Sequence, residues 1–351
     1  MPRFLAGMRF GDWIELLREH HFRVDAAFVP RAAVATVGTL VTSAIAAVED
    51  ARGQPPLDEA AWRSPLIILG IPRSGTTHLF QLMAADRRFC YPTRFDAFHP
   101  HTLLTLRGLG IHHLLGLVPT VRRAMDDVRV GWLSPEEDSI AIAILAGRGD
   151  RMIDVFPRDD FVATPSAAFE TAIAAFTRKL VAFHGRPLIL KSPGHVRRIP
   201  SLLRVFPGAR FVMLHRDPRD VVASVLAMAQ TSNRSWCTLQ WPQAAEPGDF
   251  VEDCAIRHRA CRDGVRAIPP DRLVEIRYED LIDDRAGTLA RVYDGLGLPA
   301  PDVPAEAWPS VRPRSRRRLD PALERRVIEA FAPEFESGRY DAGDRDGAAP
   351  R

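Results

Sequence analysis

The residues best suited to chemistry lie in three short stretches of this 351-residue chain. The first, "LIILGIPRSGTTHLF" (66–80), runs an apolar segment into Gly70, four further residues and then Gly75-Thr76-Thr77. That is the spacing of a phosphate-cradling loop, G-x-x-x-x-G-K-[ST], with Thr76 in the lysine slot and Arg73 inside the loop. A glycine turn followed by a helix N-terminus offers backbone N–H groups, here those of Ser74 to Thr77, to an anion. The other two stretches, "KSPGH" (191–195) and "HRDPRD" (215–220), each place cations and hydroxyls directly after an apolar run. If the three runs are neighbouring strands, Arg73, Lys191 and Arg216 converge on one anionic nucleotide. Phosphate-loop NTPases use the loop lysine on the β- and γ-phosphates and hold magnesium with a hydroxyl and an acid. A loop without that lysine suits a nucleotide whose reactive group leaves against fixed cations, with no metal ion.

These stretches need a scaffold. "LIIL" (66–69) followed by the loop and "THLFQLMAAD" reads as strand, loop, helix. "RPLILKSP" (186–193), "ARFVMLHRDPRD" (209–220) and "RLVEIRYEDL" (272–281) are three further strands running into polar loops. After the third of the four, "VVASVLAMAQ" continues as a helix, with Asp217 as N-cap, Pro218 at the first position and Asp220 three residues past the cap. Helices are also expected over 135–146 and 166–184, while 98–132, with His99, His101, His112 and His113 among leucines, reads as irregular. Strands alternating with helices predict an α/β fold: a central, mostly parallel sheet with helices on both faces and ligands at the strands' carboxyl ends.

Composition is that of an ordinary globular protein, with 46% hydrophobic and 26% charged residues and a formal charge of +3. The chain divides into a helical N-terminal segment (1–60) packed on the core, a main domain (61–338) and a disordered tail (339–351). Within the first, 32–48 is a 17-residue uncharged run, shorter than the ~20 residues of a spanning helix and read as a buried helix rather than a membrane contact. The four cysteines form no C-x-x-C pair and read as free thiols in a reducing, cytoplasmic compartment.

Three motifs together resemble the sulfotransferases that use 3′-phosphoadenosine 5′-phosphosulfate (PAPS). "GIPRSGTTHL" is similar to their 5′-phosphosulfate loop, and "LHRDPRDVVASVL" to their 3′-phosphate segment. The resemblance runs from about Pro65 to Asp283, with the motifs in the family's order, and implies the phosphate-loop-like sulfotransferase fold. It implies donor contacts from Arg73, Ser74, Gly75, Thr76, Thr77, Lys191 and Ser192. Lys191 of "LKSP" would meet the bridging oxygen, and Arg216 and Ser224 the 3′-phosphate. Tyr278, in the family phrase "RYEDL", joins that set. Arg314, in the basic run "VRPRSRRR" (311–318), would cover the 3′-phosphate, unless that run is simply solvated. The chain is most similar to a bacterial branch in "MDDVRVGWLSPEEDSIAI" (125–142), although Ser139 stands where many relatives carry an acid.

The acceptor hydroxyl calls for a general base. Glu137 is the first choice, with Glu136 and His195 close behind and Asp138, Asp96 and His101 as further candidates. A structural role competes for Glu137: in "SPEE", Ser134 as N-cap and Glu137 as capping-box glutamate would simply start a helix. The rim "FHPHTLLTLRGLGIHHLLGLV" (98–118) points to a small hydrophobic, lipid-like or polyketide acceptor. Other readings are a nucleotide kinase or NTPase with a degenerate loop, a non-catalytic nucleotide-binding scaffold and, on "RPRSRRR" alone, nucleic-acid binding, which is not favoured. A homo-oligomer is compatible with the sequence.

Overall fold

Apolar residues at helical spacing open the chain. The computed structural model describes residues 5–53, 55–122, 129–147, 155–157, 164–231, 238–241, 246–301, 303 and 318–342. Helix α1 (Phe10–Glu19) buries Trp13, Leu16 and Leu17, and α2 (Val29–Ala51) buries Ala35, Thr39, Thr42 and Ala46. Together they pack on Phe98, Ile140 and Ile144 of the main body. Glu49 anchors the end of α2, accepting from Lys179 Nζ at 2.7 Å and from Thr105 N at 2.7 Å.

The buried-helix expectation for 32–48 holds for one face only. The exposed positions there are Ala33, Val34, Val37, Leu40, Val41, Ala44, Ala47 and Val48, all apolar, and the helix is long and apolar enough to cross a membrane. Burial follows the 3–4 spacing of whichever residues face the body, and the uncharged outer face finds no cover among the described residues.

After α3 (Glu59–Arg63) comes β1 (Leu66–Leu69) and, past the glycine loop, α4 (Thr76–Met83). After α5 (Arg94–Phe98), the stretch expected to be irregular contains two short helices, α6 (Leu103–Gly108) and α7 (Ile111–Gly116), and a small antiparallel pair, β2 (Val121–Arg122) and β3 (Arg129–Val130). Elements of five or six residues are too short to show a period in the sequence, and Gly110, with φ of 72°, breaks α6 from α7. Then follow α8 (Ser139–Ala146), α9 (Ser166–His184), β4 (Ile189–Lys191), α10 (Ile199–Val205), β5 (Arg210–His215) and α11 (Pro218–Thr231). The chain ends through α12 (Pro247–Val265), β6 (Leu273–Arg277), α13 (Tyr278–Asp283), α14 (Arg285–Gly295), α15 (Pro321–Ala330) and α16 (Ala332–Glu336).

The four expected strands form one parallel sheet in the order β4-β1-β5-β6. Alternation along the strands feeds two cores. Ile67, Leu69, Leu190, Phe211 and Met213 meet Phe176 and Leu180 on one face. Leu66, Ile68, Ile189, Val212 and Leu214 meet Leu79, Phe80 and Met83 on the other. Burial on both faces explains the unbroken apolar runs. Because β1 lies between β4 and β5, the loops after all three strands open side by side at the carboxyl end of the sheet, where ligands bind in such folds.

Arg339 pairs with Glu334 at 2.9 Å and Tyr340 is buried, so residues 339–342 pack against the C-terminal helices. Residues 343–351 lie outside the described residues. Cys90, Cys254 and Cys261 are unbridged, and burial pushes each thiol up to about 12.

Three histidines with buried ring nitrogens set an acid limit on stability. Burial, and then the nearby Arg285, lowers His78 to about 4, and both its ring nitrogens lack partners. Burial, with Arg9 and Lys179, lowers His101 to about 3, and burial, with Arg107, lowers His184 to about 4. A folded pKa below the unfolded 6.5 means stability is intact above that pH and declines as pH falls toward 4. Each residue should cost roughly 1.4 kcal/mol per pH unit in that window. Melting followed from pH 7 to 5 should fall steeply, with a shallower slope in His78→Leu; equal slopes would refute the assignment.

Candidate anion-binding and transfer site

The loop after β1 is drawn tight by contacts that only glycine allows. A Cβ on Gly70 would lie 2.6 Å from Thr76 Cγ2 and 2.7 Å from Ser74 Oγ. One on Gly75, where φ is 101°, would lie 2.3 Å from the Tyr278 ring. Arg73 itself sits at φ 69°, a left-handed conformation that non-glycine residues occupy at a cost of roughly 1–3 kcal/mol. The loop runs into α4, whose first amides have no partners within the helix. Ser74 N is already spent on Ile71 O at 3.2 Å, which leaves Gly75, Thr76 and Thr77 as the amide set.

The cations converge as the strand order requires. Arg73 Nε donates to Ser224 Oγ at 3.0 Å, and Arg216 Nη1 donates to Arg73 O at 3.2 Å. The Arg216 guanidinium lies over the Tyr278 ring, 4.4 Å from its centroid. Lys191, only 3% exposed, donates to Thr77 Oγ1 at 3.2 Å and to Glu137 Oε1 at 2.6 Å. Ser192 caps the following 3-10 turn, accepting from Gly194 N at 3.2 Å. Two buried groups here, Ser74 Oγ and Arg216 Nε, have no hydrogen-bond partner among the described residues. Buried polar groups are ordinarily paired, so a cradle with unspent donors fits an anionic ligand. Arg314 lies outside the described residues.

The base candidates separate by what they touch. Glu137 meets Lys191 and is partly open to solvent. Glu136 accepts from Glu137 N at 3.2 Å and faces Arg94 Nε at 3.9 Å. Asp96 is buried in a two-pronged pair with Arg107, at 2.6 and 2.7 Å, and its other contacts cap α5 through Thr93. His101 accepts from Arg9 Nε at 3.1 Å beside the N-terminal segment. His195 and Asp138 are buried against each other, Nε2 to Oδ2 at 2.8 Å. Asp96 and His195 are 0% and 1% exposed, and each is already engaged with a charged partner.

The helix expected from 135 starts instead at Ser139. The capping box at "SPEE" does not form because this backbone pairs elsewhere: Arg94 N donates to Ser134 O at 3.0 Å and Glu136 N to Pro92 O at 2.9 Å. Ser134 Oγ accepts from Gly131 N at 2.9 Å rather than from a helix amide. Freed from a capping role, Glu137 turns to Lys191. Sequence reasoning missed the Arg73–Ser224 contact across 151 residues, the packing of Tyr278 on Gly75 and the Asp138–His195 pair. No local signal could have found them, since each joins segments far apart in the chain.

Sheet order, glycine loop and converging cations define an α/β protein with an anion cradle of the phosphate-loop type. The comparison with known families sharpens that class: the chain belongs to the sulfotransferase family, which residues 65–302 match. It is 27% identical over 306 residues to the omega-hydroxy-beta-dihydromenaquinone-9 sulfotransferase Stf3 of Mycobacterium tuberculosis, covering 84% of this chain and 78% of the relative. A protein-tyrosine sulfotransferase of Drosophila melanogaster is 24% identical, over 68% of this chain and 39% of its own. In fold it is similar to sulfotransferase STF9 of Mycobacterium avium, with a TM-score of 0.59 at 20% identity, covering 89% and 86% of the two chains. The protein is therefore an enzyme of sulfuryl transfer, and the kinase and scaffold readings fall away.

Proposed function

We propose that the donor is PAPS and the acceptor a hydroxyl on a small, apolar molecule. The observation that carries this is the convergence of Arg73, Lys191 and Arg216, with Ser224 and Tyr278, around one glycine loop at the ends of three adjacent strands. Arg216 and Ser224 anchor the 3′-phosphate. The loop amides, Arg73 and Lys191 hold the 5′-phosphosulfate.

The acceptor oxygen forms a bond to sulfur as the bond from sulfur to the 5′-phosphate oxygen breaks. The electron pair of the broken bond stays on that phosphate oxygen, where Lys191 and Arg73 offset the growing charge. The acceptor proton passes to the Glu137 carboxylate. Positioning and fixed charge supply most of the rate in such a reaction, as in phosphoryl transfer. In the free protein Lys191 and Glu137 neutralise each other; a donor that draws Lys191 away releases the carboxylate for the acceptor.

Exposed leucines support an apolar acceptor. Leu114, Leu117 and Val118 on and after α7 are exposed, and Gly116 packs close to Leu133, which immediately precedes the loop bearing Glu137. The menaquinone-derived acceptor in the name of the mycobacterial relative is of the same chemical kind.

Thermal melting with PAP, the desulfated product, tests the donor. At 100 times Kd it should add roughly 2.7 kcal/mol of apparent stability, lost in Arg216→Ala. A rise with ATP and magnesium but none with PAP would sink the proposal. Gly75→Ala should also abolish the PAP response, because the added methyl must displace Tyr278 and sit at φ 101°; an unchanged response would show that the loop tolerates a different shape.

A further inference from the structure

Asp138 stands at the N-terminal cap of α8, yet its side chain caps nothing there. Oδ2 lies instead 2.8 Å from His195 Nε2, in a pair whose side chains are 1% and 0% exposed. Oδ1 is buried without a hydrogen-bond partner among the described residues. Aspartate at a helix start ordinarily caps it, and buried carboxylate oxygens are ordinarily satisfied. This carboxylate forgoes both for a single contact with a residue 57 positions away.

The two ends of that contact are informative. Asp138 directly follows Glu137. His195 lies in the 3-10 turn Pro193–Arg197, whose capping residue Ser192 directly follows Lys191. The Phe169 ring stands edge-on to the imidazole, 6.3 Å between centroids. The loop bearing Glu137 and the segment following Lys191 at the end of β4 are thus joined one residue after the carboxylate and four after the ammonium. Without this tie, the loop before α8 is held by backbone bonds that end at Glu136.

We infer that Asp138 and His195 form a positioning latch that keeps the Glu137 carboxylate within reach of Lys191 and of the acceptor. His195 is then a positioning residue and not a base. The inference rests on Glu137 being the base, and the test separates the two.

Transfer from PAPS to farnesol, an apolar primary alcohol, is measured in a double-mutant cycle. His195→Phe keeps a ring but no N–H; it should lower kcat about 10²-fold, the scale of a displacement near 1 Å. The KM for PAPS and the melting shift with PAP should stay unchanged. His195→Gln, which offers an amide N–H to the same oxygen, should restore most of the rate. In a Glu137→Gln background, His195→Phe should cost less than about twofold, because the latch acts through a carboxylate already removed. An equal loss in both backgrounds, or PAP binding that falls together with kcat, overturns the latch. A fully active Glu137→Gln enzyme overturns the base assignment instead. A crystal structure of His195→Phe needs no acceptor: opening of the Glu137–Lys191 contact of 2.6 Å supports the latch, and an unchanged contact refutes it.

Discussion

Lys191→Met is expected to lower the rate of sulfuryl transfer by about 10²–10³-fold, the usual cost of removing one preorganised charge at a developing oxyanion. The lysine is the buried cation at the end of β4, held by Thr77 and Glu137 rather than by solvent. Its loss should leave PAP binding largely intact, because Arg216, Ser224 and the loop amides remain. Stability should change little, since the orphaned Glu137 is 24% exposed and keeps access to water. Lys191→Arg should recover little, because a planar fork cannot reproduce the contacts of a compact ammonium on a flexible stem. Single-turnover transfer from radiolabelled PAPS reads the effect directly. A loss below tenfold would mean that Arg73 and the loop amides carry the leaving group alone.

The second large effect concerns stability. Arg107 closes on Asp96 with two bonds, Nε to Oδ1 at 2.6 Å and Nη2 to Oδ2 at 2.7 Å, both side chains at 5% exposure or less. The guanidinium also lies 4.8 Å from the centroid of Phe183. Arg107→Ala leaves a fully buried carboxylate whose charge is no longer matched, which should cost about 3–5 kcal/mol. Asp96→Leu combined with Arg107→Met should be far milder than either single change, since both charges then leave together. Chemical denaturation of the three variants decides it. A single-variant cost under about 1 kcal/mol would show that water reaches the pair, and would reopen Asp96 to a chemical role.

The two predictions mark the boundary between what a sequence displays and what it conceals. Lys191 is legible because it ends an apolar run of strand length, and its type at a strand end invites an anion. The pairing of Asp96 with Arg107 is not legible. An aspartate eleven residues from an arginine has no fixed geometry until α5 and α6 fold against each other. Read alone, Asp96 was therefore a candidate base, as was His195. Glu137 shows the same effect in reverse. "SPEE" carries a genuine capping signal, and the backbone bonds of 134–136 to 92–94 override it.

What the sequence alone determined is local and periodic. Three runs of buried apolar residues, those of β1, β4 and β5, each ending in a polar loop, specify parallel strands, because a sheet covered on both faces needs such runs. The spacing of Gly70, Gly75 and Thr77 specifies an anion cradle, because backbone conformation there depends on the absence of a Cβ. Those signals sufficed for the fold class and the family. The tertiary structure decided which side chains share a site: that Arg73 meets Ser224, that Glu137 and not Asp96 faces Lys191, and that His195 is locked to Asp138. It also decided that the outer face of α2 stays apolar and uncovered among the described residues. Contacts between loops far apart in the chain follow from the strand order β4-β1-β5-β6, and no local propensity encodes that order.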